Sequence, residues 1–319
     1  MSYHSKKRLH GSGSGFWKRV RTMLQRWAGK QPTVGLALGG GGVRGLAHVG
    51  VLEVFRRENI PVAAIAGSSM GAIVAAAYTL NPDYSETQLI DVLNEMSAAI
   101  PEHLKSTLPD HADRESIFER LRQFVYVERF ILNSVSGWGM LPEGIAEASL
   151  NKLTPKKHLE ESPIPLAVVS ADLISGKKII FRSGPAALAL KASSAIPGFL
   201  PPVPYNDMLL VDGAIVSIVP AEVVREMGVD IVVAVDVDQE GEEVEITNGP
   251  EAFLRAVALC SYHHKQHHLE SANMVIQPQF GAPVQTFDIS KARLCIEAGA
   301  RAAEAALPRL RKLLGWPRA

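Results

Sequence analysis

The sequence predicts an α/β fold: a mostly parallel sheet with helices on both faces. Three observations predict it. The apolar runs Val34–Leu38, Val62–Ala66, Leu166–Ala171 and Ile231–Val235 have the length and near-continuous hydrophobicity of strands buried on both sides. The first two end in glycine-rich turns that lead straight into helix-patterned segments, so strand and helix alternate with short connections. The 319 residues are 47% hydrophobic and 21% charged, enough apolar surface for a large core without covalent staples.

The elements follow in order. Val34–Leu38 ends in Gly39–Gly42, and Gly45–Arg57 reads as the first helix. Val62–Ala66 closes on Gly67-Ser68-Ser69-Met70-Gly71 and runs into an alanine-rich helix reaching Leu80. Residues 81–160 carry no buried-strand signal. They read as a helical insertion, a cap or substrate-facing segment, with helix starts at Ser85 and after Asp113. Leu166–Ala171 and Lys178–Phe181 are strands, and Leu209–Val211 leads into Asp212-Gly213. Beyond the strand Ile231–Val235, two helices over 250–272 and 290–314 bracket a short strand, Met274–Ile276. No repeat and no linker divides this part, so residues 33–319 are expected to form one domain behind a basic segment, 1–32.

Net charge is zero, but unevenly distributed. Lys6, Lys7, Arg8, Lys18, Arg19, Arg21, Arg26 and Lys30 precede the first acid, which leaves the body with 25 basic against 33 acidic residues and no nucleic-acid footprint. Residues 1–15 are polar and Gly/Ser-rich and are expected to be disordered. On a helix over 16–28, Phe16, Trp17, Val20, Met23, Leu24 and Trp27 fall within an arc of roughly 120°, with the cations outside it. Such a helix suits a peripheral membrane surface; packing on the domain with solvated cations is the alternative. No signal-peptide pattern is visible, and the apolar stretch from Pro61 to Leu80 is interrupted by Gly67, Ser68, Ser69 and Gly71. Cys260 and Cys295 are the only cysteines, which permits one bridge but fits a reducing compartment, hence a cytoplasmic protein at most peripheral to the inner membrane.

Chemistry concentrates where strands meet helices. In Gly67-x-Ser69-x-Gly71, a sharp strand-to-helix turn exposes the Ser69 hydroxyl at a helix N-terminus, and the flanking glycines remove Cβ atoms that would collide. Ser69 is therefore a candidate nucleophile, against the plainer reading of a tight packing turn. Gly40, Gly42 and Gly45 match the dinucleotide-binding G-x-G-x-x-G pattern. That site also needs an acid near the end of the second strand, where the chain reads Ala64-Ile65-Ala66-Gly67-Ser68. An oxyanion hole from the amides of Gly40, Gly41 and Gly42 needs no such acid and accounts for the adjacent elbow. A hydroxyl nucleophile needs a base. His48 reads as a packing residue. His263, His264, His267 and His268 have i, i+4 spacing that fits either a metal site or a solvated helix face, with no neighbouring carboxylate pattern. Asp212 ends an apolar run before Gly213, which places it at a strand's C-terminal edge, where α/β ligand sites collect; a simple Asp-Gly turn is the alternative.

Together these residues resemble the patatin-like phospholipase family. The matches are Gly40-Gly41-Gly42-Val43-Arg44-Gly45, Gly67-Ser68-Ser69-Met70-Gly71 and Asp212-Gly213-Ala214, in the family's order. Gly45–Leu52 and Ser193-Ser194-Ala195-Ile196-Pro197-Gly198 are further likenesses, and the similarity spans residues 33–314. It is closest to the compact bacterial branch related to the esterase domain of neuropathy target esterase. The resemblance implies a three-layer α/β/α fold and a Ser69–Asp212 dyad in place of a triad. It also implies a glycine-rich oxyanion hole and acyl esters of phospholipids, lysophospholipids or neutral lipids as substrates, with no metal or organic cofactor. Arg44 would attract a lipid phosphate or brace the glycine loop. The family often has asparagines after its Asp-Gly; here the chain reads Ile215-Val216-Ser217-Ile218-Val219-Pro220. An acyltransferase on the same dyad, a dinucleotide-dependent oxidoreductase and a catalytically silent lipid-binding module are the alternative functions. Oligomeric state is not legible.

Overall fold

The computed structural model describes residues 31–98, 144–197, 200–238, 246, 249–284 and 287–316. The helix expected over 16–28 and the helix start after Asp113 lie outside them.

The strands are β1 (Val34–Leu38), β2 (Val62–Ser68), β3 (Leu166–Asp172), β4 (Lys178–Phe181), β5 (Val203–Tyr205), β6 (Met208–Asp212), β7 (Ile231–Val235) and β8 (Met274–Ile276). The helices are α1 (Ala47–Arg57), α2 (Met70–Leu80), α3 (Glu86–Ala98), α4 (Ile145–Leu153), α5 (Ala186–Ser193), α6 (Ala221–Glu226), α7 (Gly249–Leu269) and α8 (Ala292–Leu314). The expected insertion is helical where it is described, in α3 and α4. The Ser85 hydroxyl caps the start of α3 by accepting from the Gln88 N–H at 3.1 Å.

All eight strands join one sheet, with the order β5-β6-β3-β2-β1-β7-β8 and β4 also on β3. Strands β3, β2, β1, β7 and β8 run parallel; β4, β5 and β6 run antiparallel to their partners. Alternation along the strands sorts side chains onto two faces. Val34, Leu36, Leu38, Ile65, Val168 and Val233 share a core with Leu52 and Phe55 of α1, Ile73 of α2 and Ile296 of α8. Ala37, Ala64, Ala66, Ala167 and Val169 face the other way, against Val223 and Val224 of α6. The result is the three-layer α/β/α arrangement. Both cysteines are free, Cys260 exposed and Cys295 buried. Among the described residues no helix is long and apolar enough to cross a membrane.

One feature of the register builds the site. Val168 and Val169 are bonded to β2 on one edge and to β4 on the other, whereas Ser170 and Ala171 are bonded to β4 and β6. Strand β6 therefore takes the edge of β3 that β2 vacates after Ser68. The Ser170 hydroxyl reinforces the exchange by donating to the Val211 carbonyl at 2.7 Å. Asp212, opposite Ser170, arrives next to the residue that follows Ser68.

Candidate active site

Ser69 occupies the turn between β2 and α2 with φ 52° and ψ −125°. A positive φ on a non-glycine residue costs on the order of 1–3 kcal/mol and persists only where neighbours enforce it. Here they do. A Cβ on Gly67 would lie 2.5 Å from the Ala72 backbone, and one on Gly71 would collide with the Leu38 carbonyl. Only glycine lets α2 fold back this closely on β1 and β2. The Ser69 carbonyl accepts from the amides of Ala72 and Ile73, which starts the helix, and its own N–H donates to Ser193 Oγ at 2.9 Å.

The Ser69 hydroxyl donates to Asp212 Oδ2 at 2.7 Å, and Asp212 Oδ1 accepts from the Ala214 N–H at 2.8 Å. Burial pushes the Asp212 carboxyl up to about 6, although those two hydrogen bonds pull it down. A Cβ on Gly213 would strike the Val169 carbonyl, so the chain can pass beneath the elbow only at a glycine. The segment after Ala214 is held without asparagines. The Ser217 N–H donates to the Gly213 carbonyl, and the Ser217 hydroxyl to Glu222 at 2.7 Å.

The glycine-rich loop is tied at four points. The Gly39 N–H donates to the Val235 carbonyl and the Gly40 N–H to the Ile218 carbonyl, at 3.1 and 2.8 Å. His48 Nε2 lies 2.7 Å from the Gly39 carbonyl; a carbonyl only accepts, so Nε2 carries the proton. Burial lowers the His48 pKa to about 4, against the bond to Gly39, so the ring is neutral and braces the loop. Arg44 Nε donates to the Gly41 carbonyl at 3.3 Å, and the guanidinium pairs with Asp238 at 3.6 Å. Of the two roles open to Arg44, loop bracing is the one its contacts describe.

Sequence reasoning gives Gly40, Gly41 and Gly42 as amide donors. The Gly40 amide is instead committed to Ile218, because the segment after Asp212 packs onto it. That leaves Gly41 and Gly42, which enter the short 3-10 helix Gly42–Leu46 and have no intrahelical acceptor. This turn also corrects the expected helix start at Gly45: α1 begins at Ala47. The loop lies against Ser69, since a Cβ on Gly40 would be 3.2 Å from the Ser69 Cβ. Gly45 brings the turn onto the Met70 side chain, with no room for a Cβ between them.

The histidine stretch of α7 departs from a solvated face at one position. His263, His264 and His267 are exposed, but His268 is buried, with Nε2 3.9 Å from Glu222 and its ring 4.3 Å from that of His264. No group of three or more His, Cys, Asp or Glu placed to hold a metal occurs among the described residues.

Two features escaped sequence reasoning. Ser193 opens the family-like stretch Ser193–Gly198, yet only the structure gives its hydroxyl a partner. Lys265 is buried in the same polar stretch of α7 and lies 3.0 Å from Asp236 and 3.2 Å from Asp238. The signal for it was a pair of acids directly after the apolar strand Ile231–Val235.

Comparison with known proteins identifies the family. A family model described as Patatin-like phospholipase matches residues 36–225. A patatin-like phospholipase domain-containing protein of Caenorhabditis elegans is 32% identical over 208 residues, covering 64% of this chain and 13% of that protein. An uncharacterized NTE family protein of Mycobacterium bovis is 32% identical over 209 residues, covering 65% of this chain and 49% of its own length. The chain thus spans about half or less of these curated relatives. The crystal structure of VipD from Legionella pneumophila covers 86% of this chain and 67% of its own at 13% identity and TM-score 0.41, a likeness without weight for function.

Proposed function

The chain belongs to the patatin-like phospholipase family, and from that premise we propose that it is a serine hydrolase of lipid acyl esters, with Ser69 as nucleophile and Asp212 as its base. The observation that carries this reading is the 2.7 Å bond from the Ser69 hydroxyl to a buried carboxylate, made at a positive-φ elbow.

In the first half-reaction Ser69 Oγ bonds to the ester carbonyl carbon as its proton passes to Asp212 Oδ2. A carboxylate is a weak base for a hydroxyl, so transfer is concerted with attack, and the raised pKa of Asp212 makes it a better acceptor. The tetrahedral oxyanion is held by the Gly41 and Gly42 amides and favoured by the N-terminus of α2. When the intermediate collapses, the ester C–O bond breaks and the leaving alkoxide takes the proton from Asp212. Water then attacks the acyl-enzyme, giving a proton to Asp212, and the fatty acid departs as Ser69 recovers its own. No step needs a metal or an organic cofactor.

The substrate class is an acyl ester of a phospholipid, lysophospholipid or neutral lipid. Vesicles of phosphatidylcholine and of lysophosphatidylcholine, and a diacylglycerol emulsion, test it through fatty-acid release. Release by wild type and none by Ser69→Ala supports the reading; equal release by both would refute it.

A further inference from the structure

We propose that Ser193 is a positioning residue for the dyad, and that the C-terminal end of α5 holds nucleophile and base in register with each other. The proposal rests on reading Ser69 and Asp212 as that pair.

Ser69 and Asp212 are 143 residues apart, one just after β2 and the other at the end of β6, two strands that do not bond to each other. One short stretch of chain touches the main chain of both. Ser193 is completely buried, and its Oγ accepts from the Ser69 N–H at 2.9 Å. Two residues on, the Ala195 carbonyl accepts from the Asp212 N–H at 2.9 Å. The stretch between them is itself fixed, since the Ser194 N–H and hydroxyl both donate to the Leu190 carbonyl.

The positive φ of Ser69 explains why such a device is needed. The elbow carries the Ser69 N–H out of the β2 ladder before α2 supplies any acceptor, so the amide is buried without a backbone partner. The Ser193 hydroxyl satisfies it and opposes relaxation of the turn. With that acceptor gone, the elbow shifts to find another partner, and the Ser69 Oγ moves relative to Asp212 Oδ2. Misplacement of reacting atoms by about 1 Å can cost roughly a hundredfold in rate.

The test uses the full chain and a neutral p-nitrophenyl ester. Ser193→Ala, which adds no bulk, is expected to lower kcat by roughly 10- to 100-fold with little change in KM. Weakening the Ser69–Asp212 bond removes one influence that lowers the Asp212 pKa, so the acid limb of the kcat/KM profile should move to higher pH. Fluorophosphonate labelling of Ser69 should slow in parallel. Thr154→Val, which removes a buried hydroxyl bonded to the Leu150 carbonyl, controls for lost stability and should keep the wild-type limb. If Ser193→Ala does not fold, Ser193→Cys, a weak acceptor of similar size, should show a smaller shift in the same direction. A folded Ser193 variant with wild-type kcat and an unmoved limb would overturn the proposal while leaving the dyad intact. Wild type that neither turns over nor labels at Ser69 would overturn both.

Discussion

The Gly40 N–H donates to the Ile218 carbonyl at 2.8 Å, joining the glycine-rich loop to the segment that follows Asp212. Gly40 also abuts Ser69, so three stretches distant in sequence meet at one point. The consequences can be measured.

The pH dependence follows from Asp212. Only its carboxylate can accept a proton from Ser69, and its pKa is raised to about 6 by burial. The value of kcat/KM should therefore be level at neutral pH and fall about tenfold per pH unit below about 6. A limb near the ordinary aspartate value would mean that Asp212 is not the base.

Stability should move the other way. Because the folded-state pKa of Asp212 is raised, its contribution to stability is fully present below the unfolded pKa near 3.8 and is lost as pH rises through about 6. Asp212→Asn removes that penalty. The variant should be inactive yet more stable than wild type at pH 7, by on the order of 1–3 kcal/mol in urea unfolding, with the difference shrinking toward pH 4.

Arg44 separates two roles. If it braces Gly41, Arg44→Met should lower kcat roughly tenfold on a neutral ester that carries no phosphate. Lysine should rescue poorly, because it has no group equivalent to Nε. A rise confined to KM, and only for phospholipid, would instead identify a phosphate-binding residue.

Lys265 is a stability prediction. Its ammonium is buried beside Asp236 and Asp238, so Lys265→Met strands the buried Asp236 carboxylate, while the partly exposed Asp238 keeps Arg44, and should destabilise by roughly 3 kcal/mol in urea unfolding. A change below 1 kcal/mol would show that water reaches these acids.

The amphipathic pattern of residues 16–28 gives a prediction from sequence alone. Removing residues 1–30 should weaken binding to anionic liposomes, read by co-sedimentation at low salt. Unchanged binding would place the cations on a solvated face.

What the sequence made legible was local. Val34–Leu38 and Val62–Ala66 announce buried strands, and the glycines after them announce the turns, because both signals lie in adjacent residues. The residues around Asp212 placed it at a strand end; only the family resemblance paired it with Ser69. That meeting depends on β3 exchanging β2 for β6, a register set by tertiary pairing. Strand β5 is three residues long and contains Pro204, which left no pattern to read. His268 and Lys265 look like solvated helix positions; their burial comes from where α7 lands, against Glu222 in one case and Asp236 in the other.

Attack by Ser69 with Asp212 as its base can be read from a covalent label. Fluorophosphonate labelling with peptide mapping, run on wild type, Ser69→Ala and Asp212→Asn, tests it most directly. Wild type should carry the label on Ser69, Ser69→Ala should carry none, and labelling should slow at least a hundredfold in Asp212→Asn, on the order of a lost general base. Label on a different residue, or undiminished labelling in Asp212→Asn, would contradict it.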